Sequence, residues 1–95
     1  MSIKKLSDTE LQQQLAQLPD WSLRDGKLYR AIRFVNFSAT FSFMTQVALI
    51  AEKSDHHPEW FNVYNRLEIW LTTHDADGIS ERDIELATAI DALLA

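Results

Sequence analysis

The sequence predicts an α+β domain in which a four-stranded antiparallel sheet carries three helices on one face, in the order α-β-β-α-β-β-α. Two pairs of strand-like segments are each joined by a short turn, which favours antiparallel pairing. Three segments with helical spacing of apolar residues lie before, between and after these pairs. The 95 residues include only 2 Gly and 2 Pro, so residues 1–95 are expected to form a single domain.

The first helix is predicted from a start signal and a stop signal. Ser7 can cap the helix, and Glu10, three residues further on, can reach back to complete a capping box. Leu6 and Leu11 occupy the two positions of a hydrophobic staple. The apolar stripe of this helix consists of Leu11, Leu15 and Leu18. Pro19 is predicted to stop the helix.

Residues 21–24 and 27–34 are predicted to form the first hairpin, around Asp25-Gly26. This dipeptide is a strong hairpin signal because a primed turn requires positive φ at its centre. The residues of the second strand that are predicted to share one face are Leu28, Ile32 and Phe34.

The central helix, residues 36–53, is apolar on more than one side. Asn36 or Ser38 can cap its start. One side carries Phe37, Phe41, Met44, Ala48 and Ala51, and another carries Phe43, Val47 and Ile50. One sheet cannot cover both sides, so this helix is either central to the core or partly covered by a second chain. In so small a domain the second arrangement is favoured.

Residues 60–64 and 67–72 are predicted as the second strand pair, with the turn near residues 65–66. The residues predicted to alternate toward the core are Leu67, Ile69 and Leu71. Glu68 and Trp70 then point to the opposite face, and an outward tryptophan indicates a subunit interface.

Residues 73–78 are expected to form a polar loop before the last helix. Ser80 is predicted to cap that helix, with Asp83 at the third helical position and an Ile79–Ile84 staple. Its buried stripe is predicted to contain Ile84, Ala87, Ile90 and Leu94.

Composition excludes several classes of function. The chain has no cysteine, hence no disulfide, thiolate nucleophile or zinc–thiolate site. Its formal net charge of -5 argues against direct binding to nucleic acid. The N-terminus lacks the apolar stretch of a signal peptide, and no stretch is long enough to span a membrane. We therefore expect a cytoplasmic protein, or a nuclear one, without membrane contact.

All three histidines of the chain fall between residues 56 and 74, together with several carboxylates. Histidine gives or takes a proton near neutral pH, so this grouping is typical of an acid–base site. Adjacent His56 and His57 rarely aim both rings at one ion, so a metal site is not favoured. The residues alone also allow a purely structural role, in which His56 and His57 cap a helix, His74 lies in a loop, and Asp83 only caps its helix.

A spaced motif narrows these alternatives. Glu52, His56-His57-Pro58, Tyr64, His74 and Asp83 stand at intervals that resemble the signature of the pterin-4a-carbinolamine dehydratases. Residues 43–53, 55–65 and 78–84 are similar to the branch of that family that includes the animal proteins. The resemblance extends over the chain from residue 21 onward and implies the same α+β fold.

The resemblance implies a dehydration that needs no cofactor. The substrate would be a 4a-hydroxytetrahydropterin, formed when an aromatic amino acid hydroxylase, the metabolic partner, uses its pterin. Loss of the 4a-hydroxyl as water would give the quinonoid dihydropterin during tetrahydrobiopterin recycling. This chemistry requires a proton donor for the hydroxyl and an acceptor for the N5 proton, and such help contributes about 10²–10⁴-fold to a rate.

The resemblance also implies residue roles. His56 would be the principal acid–base group, while His57 and His74 would bind and polarise the pterin, and one of these two would take the N5 proton. Asp83 would orient a histidine and fix its tautomer while capping its helix. The remaining substrate-binding residues would be Glu52 at the pterin ring or setting the local potential, Pro58 fixing the turn, and Trp60 walling the pocket.

A second function belongs to a different class. Members of the resembled family act as dimerisation cofactors of a homeodomain transcription factor, through the apolar helix that also pairs dimers into tetramers. The helix at residues 36–53 has the character of such a surface, so a homo-oligomer, dimer or tetramer, is expected. A third possibility is a pterin-binding homologue with weak turnover in another pterin or molybdopterin pathway.

Overall fold

The computed structural model describes residues 3–95, and its first helix, α1 (Asp8–Leu15), begins as predicted. The Ser7 hydroxyl oxygen accepts from the backbone N–H of Glu10 at 3.1 Å, and the Glu10 carboxylate accepts from the backbone N–H of Ser7 at 2.9 Å. The helix ends at Leu15, earlier than the predicted stop at Pro19. The chain there tightens into bonds between residues three apart, so Leu18 turns into the core without continuing the helix.

The first hairpin joins β1 (Ser22–Arg24) to β2 (Lys27–Arg33). Asp25 and Gly26 have φ values of 55° and 74°, which confirms the predicted primed turn. Both strands are one residue shorter at their outer ends than predicted. Just beyond the end of β2 the backbone N–H of Phe34 donates to the carbonyl of Asn65, and the Asn65 side chain donates to the carbonyl of Phe34.

The second hairpin joins β3 (Glu59–Val63) to β4 (Arg66–Leu71), and the sheet order is β1-β2-β4-β3 with every pair antiparallel. The turn lies at residues 64–65, one position earlier than predicted, because Tyr64 adopts a left-handed φ of 49°. The predicted inward residues of β4, which are fully buried, are Leu67, Ile69 and Leu71.

The central helix, α2 (Phe37–Ser54), is capped by Asn36, whose side-chain oxygen accepts from the backbone N–H of Ala39 at 2.8 Å. Its buried residues are Thr40, Phe43, Val47 and Ala51. The side of the helix that was predicted to carry Phe37, Phe41 and Ala51 is only partly buried. Ala51 is buried, whereas Phe37 and Phe41 are 48% and 55% exposed. Their rings lie 5.7 Å apart on the helix surface.

The segment before the last helix was predicted to be a polar loop and contains one turn of 3-10 helix, His74–Ala76. The last helix, α3 (Glu81–Leu94), starts with the predicted capping box between Ser80 and Asp83. Its fully or largely buried residues are Asp83, Ile84, Leu86, Ala87 and Ile90. Leu94, predicted as the end of this stripe, is only partly buried.

The hydrophobic core lies between the helices and one face of the sheet. The sheet contributes Leu28, Leu67, Ile69 and Leu71; α2 contributes Phe43 and Val47; and α3 contributes Ile84, Leu86, Ala87 and Ile90. Leucines of α1 pack against this cluster. The architecture confirms the predicted α+β class, with three helices and a four-stranded antiparallel sheet.

The opposite face of the sheet carries an aromatic pair, Tyr29 and Trp70, whose ring centroids lie 5.1 Å apart. These residues are direct cross-strand partners, and the Arg24 guanidinium lies 4.0 Å from the centre of the Tyr29 ring. Trp70 therefore points outward as predicted; its place in a subunit interface stays a prediction. Among residues 3–95, none of the helices has both the length and the apolar content that crossing a membrane requires.

Candidate functional site

The C-terminal end of α2 determines where the histidine pair lies. Asp55 adopts the left-handed conformation, its N–H bonds to the carbonyl of Glu52 at 3.3 Å, and the N–H of His56 bonds to the carbonyl of Ala51 at 3.1 Å. These two bonds form a Schellman motif, which reverses the chain at a helix end. As a result His56 turns inward and is 9% exposed, whereas His57 stays at the surface.

His56 meets a buried carboxylate from the other side of the core. Its Nε2 lies 2.6 Å from Oδ1 of Asp83, which is fully buried. Asp83 occupies the first turn of α3, where the capping box holds its side chain. The bond therefore joins the C-terminal end of one helix to the N-terminal end of another.

The second carboxylate oxygen of Asp83 has two donors. The Thr73 hydroxyl donates to Oδ2 at 2.8 Å, and the backbone N–H of Ser80 donates to the same atom at 2.9 Å. The hydroxyl groups of Thr73 and Ser80 lie 2.7 Å apart. Within residues 3–95, every buried side-chain nitrogen or oxygen has a hydrogen-bond partner, so this polar network is fully satisfied.

His57 has a different environment. Its Nε2 lies 2.9 Å from Oε1 of Glu52, and both side chains are mostly exposed, at 56% and 82%. Water screens such a pair, so its attraction orients the imidazole more than it stabilises the fold. Glu52, which the sequence predicts as a substrate-binding residue, is thus the hydrogen-bond partner of His57.

All three histidines line one open cleft of about 340 Å³. Its walls include His56, His57, His74, Thr72, Thr73 and Arg82. Asp55 and Asp75 add two carboxylates. His74 reaches it from the 3-10 turn, so two separate segments, residues 55–57 and 74–75, supply groups that can donate or accept protons. Such a cleft can protonate a leaving oxygen at one position and remove a proton at another.

Three predicted substrate-binding residues do not line this cleft: Glu52, which contacts His57, and Pro58 and Trp60. Pro58 is half-buried just before β3, and Trp60 packs against the hydrophobic core. Neither is among the residues that line the cleft. Their contribution to substrate binding stays a prediction, as do the catalytic roles of the histidines and Asp83.

Sequence reasoning missed Thr73 and Arg82. Thr73 precedes His74 in a segment expected to be only a polar loop, and its partner Asp83 is 10 residues away. Arg82 has the sequence context of any exposed residue in a first helical turn. One sequence feature could have indicated Thr73, namely its position next to His74 of the motif. We identify no sequence feature that could have indicated Arg82.

Metal coordination was not favoured by the sequence. In the described part of the chain, residues 3–95, no group of three His, Cys, Asp or Glu side chains could hold a metal ion. The imidazoles instead take carboxylate partners or face the cleft. That the protein uses neither metal nor cofactor stays a prediction.

Fold and cleft together define a small α+β domain with a histidine-lined site at its helix ends. The chain belongs to the pterin-4-alpha-carbinolamine dehydratase family, whose family model matches residues 4–93. This membership confirms the resemblance found in the sequence and makes the protein an enzyme of the hydro-lyase class.

Individual relatives agree over the full length. A protein of Novosphingobium aromaticivorans, provisionally named pterin-4-alpha-carbinolamine dehydratase, is 54% identical over 99% of this chain and 100% of its own. A protein of Rhizorhabdus wittichii with the same provisional name is 57% identical, over 98% of each chain. A Brucella melitensis crystal structure, described as a transcriptional coactivator/pterin dehydratase, superposes with a TM-score of 0.93 at 42% identity. It covers 97% of this chain and 100% of that one.

Proposed function

We propose that this protein is a 4a-hydroxytetrahydrobiopterin dehydratase that acts by histidine general acid–base catalysis. The observation that carries the proposal is the convergence of His56, His57 and His74 on one cleft, with His56 held against the buried Asp83. The family and the names of the bacterial relatives support the substrate class.

The reaction breaks one C–O bond and moves two protons. His56 in its protonated form donates to the 4a-hydroxyl, which leaves as water when the bond between C4a and oxygen breaks. The N5–H electrons form the new C4a–N5 double bond, and His57 or His74 accepts the N5 proton. The products are the quinonoid dihydropterin and water, and the two histidines then exchange protons with solvent.

Asp83 suits the donor role of His56 because a buried carboxylate that contacts one ring nitrogen fixes the orientation of the imidazole. His57 has a partner, Glu52, that is exposed and can turn with the substrate. The two histidines therefore differ in rigidity: His56 is set before the substrate arrives, and His57 can adjust to it.

The direct test is stopped-flow absorbance of freshly generated 4a-hydroxytetrahydropterin, with and without the protein. We expect clear acceleration by the natural chain, and a rate more than about tenfold lower for His56→Ala, because general acid–base help contributes about 10²–10⁴-fold. Circular dichroism must show that the variant is folded. An unchanged rate in folded His56→Ala would remove His56 from the mechanism.

We place this activity in the recycling of tetrahydrobiopterin in the cytoplasm, downstream of an aromatic amino acid hydroxylase. The chemistry supports a recycling role, because the quinonoid product is one reduction away from the tetrahydropterin that a hydroxylase consumes. The bacterial source of the relatives supports the location. An alternative within the same cleft is a pterin-binding protein of weak turnover, which the same stopped-flow measurement distinguishes.

A second candidate function is binding, through α2, to a second copy of the chain or to the dimerisation domain of a transcription factor. The observation that favours it is the exposed aromatic pair Phe37 and Phe41 on a helix whose other side is buried. The Brucella melitensis neighbour is described as a coactivator as well as a dehydratase. Binding and catalysis use different surfaces and are compatible.

A further inference from the structure

Two buried hydroxyl groups lie behind Asp83, on the carboxylate oxygen that His56 does not contact. Thr73 is 4% exposed and Ser80 is fully buried. The Thr73 hydroxyl is 2.8 Å from Oδ2 of Asp83 and 2.7 Å from the Ser80 hydroxyl. The Ser80 oxygen also accepts from the backbone N–H of Arg82 at 3.2 Å. These contacts form one hydrogen-bond network, which runs from Ser80 through Thr73 and Asp83 to His56.

The number of hydroxyl hydrogens determines which group is the donor in each contact of this network. A carboxylate has no hydrogen to give, and each hydroxyl has one. Thr73 uses its hydrogen in donating to Oδ2 of Asp83. The contact between the hydroxyls must then be a donation from Ser80 to Thr73. All donations therefore run toward Asp83, from Ser80 through Thr73.

The donors and acceptors around Asp83 also assign the tautomer of His56. Oδ2 of Asp83 is occupied by the Thr73 hydroxyl and the Ser80 backbone N–H, and Oδ1 is left for His56. A carboxylate oxygen accepts, so Nε2 of His56 carries the hydrogen. A neutral imidazole has one N–H, which leaves Nδ1 as the acceptor.

Nδ1 of His56 is also the ring nitrogen that solvent reaches. Among residues 3–95 it has no hydrogen-bond partner, and every buried side-chain polar atom in that range has one. Nδ1 is therefore not fully buried, and His56 is a lining residue both of the three-histidine cleft and of a smaller neighbouring pocket of about 220 Å³.

We propose that Thr73 is a positioning residue, whose hydroxyl holds Asp83 so that His56 presents Nδ1 as the proton-exchanging nitrogen. The proposal deepens the dehydratase function and rests on it. Without the Thr73 hydroxyl, Oδ2 loses one of its two donors and the Ser80 hydroxyl loses its acceptor. Asp83 can then rotate to bond Ser80, and His56 loses the acceptor that selects its tautomer.

Three variants test this role. Thr73→Val removes the hydroxyl at nearly constant volume, and Thr73→Ser restores a hydroxyl without the methyl group. Thr40→Val is the matched control, because Thr40 is fully buried and its hydroxyl bonds the carbonyl of Asn36. The control position lies near the opposite end of α2, roughly 20 Å from the cleft by helix rise.

The readouts are the His56 tautomer, from long-range nitrogen-15 correlation spectra of the neutral ring, and the dehydration kinetics. We expect the Nε2–H tautomer in the natural chain and in the control. In Thr73→Val we expect a tautomer mixture and a kcat about tenfold to a hundredfold lower at little-changed KM, since part of the acid–base contribution is lost. Thr73→Ser should recover both.

Several outcomes would overturn the proposal. An Nδ1–H tautomer in the natural chain would do so without any variant. So would folded Thr73→Val with natural tautomer and natural kcat, or a loss of kcat that Thr73→Ser does not recover. If the natural chain shows the Nε2–H tautomer but does not accelerate dehydration, the proposed function fails and the proton-exchange role fails with it. The positioning of His56 by Thr73 is then still decided by the spectra.

Discussion

His56 and Asp83 stand 27 positions apart in the chain, and their 2.6 Å contact joins the end of α2 to the start of α3. Asp83 serves two structures at once, because Oδ1 faces the histidine while Oδ2 completes the cap of its own helix. A change at this carboxylate should therefore alter stability and catalysis together.

Asp83→Asn provides the test of that coupling. The carboxamide has a single acceptor oxygen, which can serve either His56 or the donors Thr73 and Ser80. With His56 in its Nε2–H tautomer a buried donor is left unpaired, so we expect urea denaturation to show a loss of about 1–3 kcal/mol. The dehydration rate should fall in the same variant.

The matched control is Glu10→Gln, at the same third position of α1. Glu10 is exposed, and glutamine also completes a capping box, so the urea midpoint should move much less than in Asp83→Asn. Equal midpoints for Asp83→Asn and the natural chain would mean that the buried network contributes nothing to stability.

The exposed pair of Glu52 and His57 should behave differently. We expect Glu52→Gln to leave the urea midpoint unchanged, because water screens the pair. If the carboxylate orients His57 toward the pterin, KM should rise by roughly twofold to fivefold at constant kcat, the size of a screened contact.

Lys53→Gln is the control for this change, because it alters the charge at the neighbouring exposed position and leaves both Glu52 and His57 in place. Both kinetic constants should remain at their natural values. A Glu52→Gln variant that lost kcat at constant KM would instead place this carboxylate in the chemical step.

The exposed side of α2 makes a prediction about assembly. Phe41→Lys places a charge beside Phe37 on a surface that we expect a second subunit to cover, so light scattering should report a smaller species. Gln46→Lys adds the same charge at another exposed position of the helix and should leave the mass unchanged. A monomeric natural chain at micromolar concentration would contradict the expected oligomer.

Tyr29 makes a prediction about alkaline pH. Its hydroxyl donates to Oε1 of Glu68 at 2.7 Å, and this hydrogen bond, with some desolvation, raises the pKa of Tyr29 above its ordinary value of 10.0. Folding therefore favours the protonated phenol. The resulting stabilisation is fully present below the unfolded-state pKa and is lost as pH rises through the folded-state pKa.

Ultraviolet absorbance of the phenolate measures this pKa directly. The chain has 2 tyrosines, so Tyr64→Phe leaves the Tyr29 transition alone. We expect Glu68→Gln to move that transition down toward the ordinary value, because the negatively charged acceptor is the main cause of the shift. A transition that stays in place after this substitution would assign the shift to burial instead.

The sequence features whose predictions the structure confirms are local ones. The Asp25-Gly26 turn and the two capping boxes each involve residues at most three positions apart. Alternation in β4 extends over a few residues and depends only on strand geometry. Such features are favoured by nearby chain energetics, so the sequence carries them without reference to the rest of the fold.

The motif that resembled the dehydratases named the histidines and Asp83, but it did not show how they are arranged. Nothing in the spacing distinguished buried His56 from exposed His57, because the Schellman turn at Asp55 makes that difference. Thr73 was missed for a related reason: its hydroxyl has significance only where the chain brings it to Asp83.

By itself, then, the sequence determined the class of fold, the order of its elements, their caps and turns, and the family. These depend on short-range conformational preferences and on residue identities at fixed intervals. The tertiary structure alone decided which side of α2 is covered, which histidine meets the buried carboxylate, and which hydroxyl holds that carboxylate. Burial and hydrogen-bond partners come from segments distant in the chain, so they exist only once the helices have packed on the sheet.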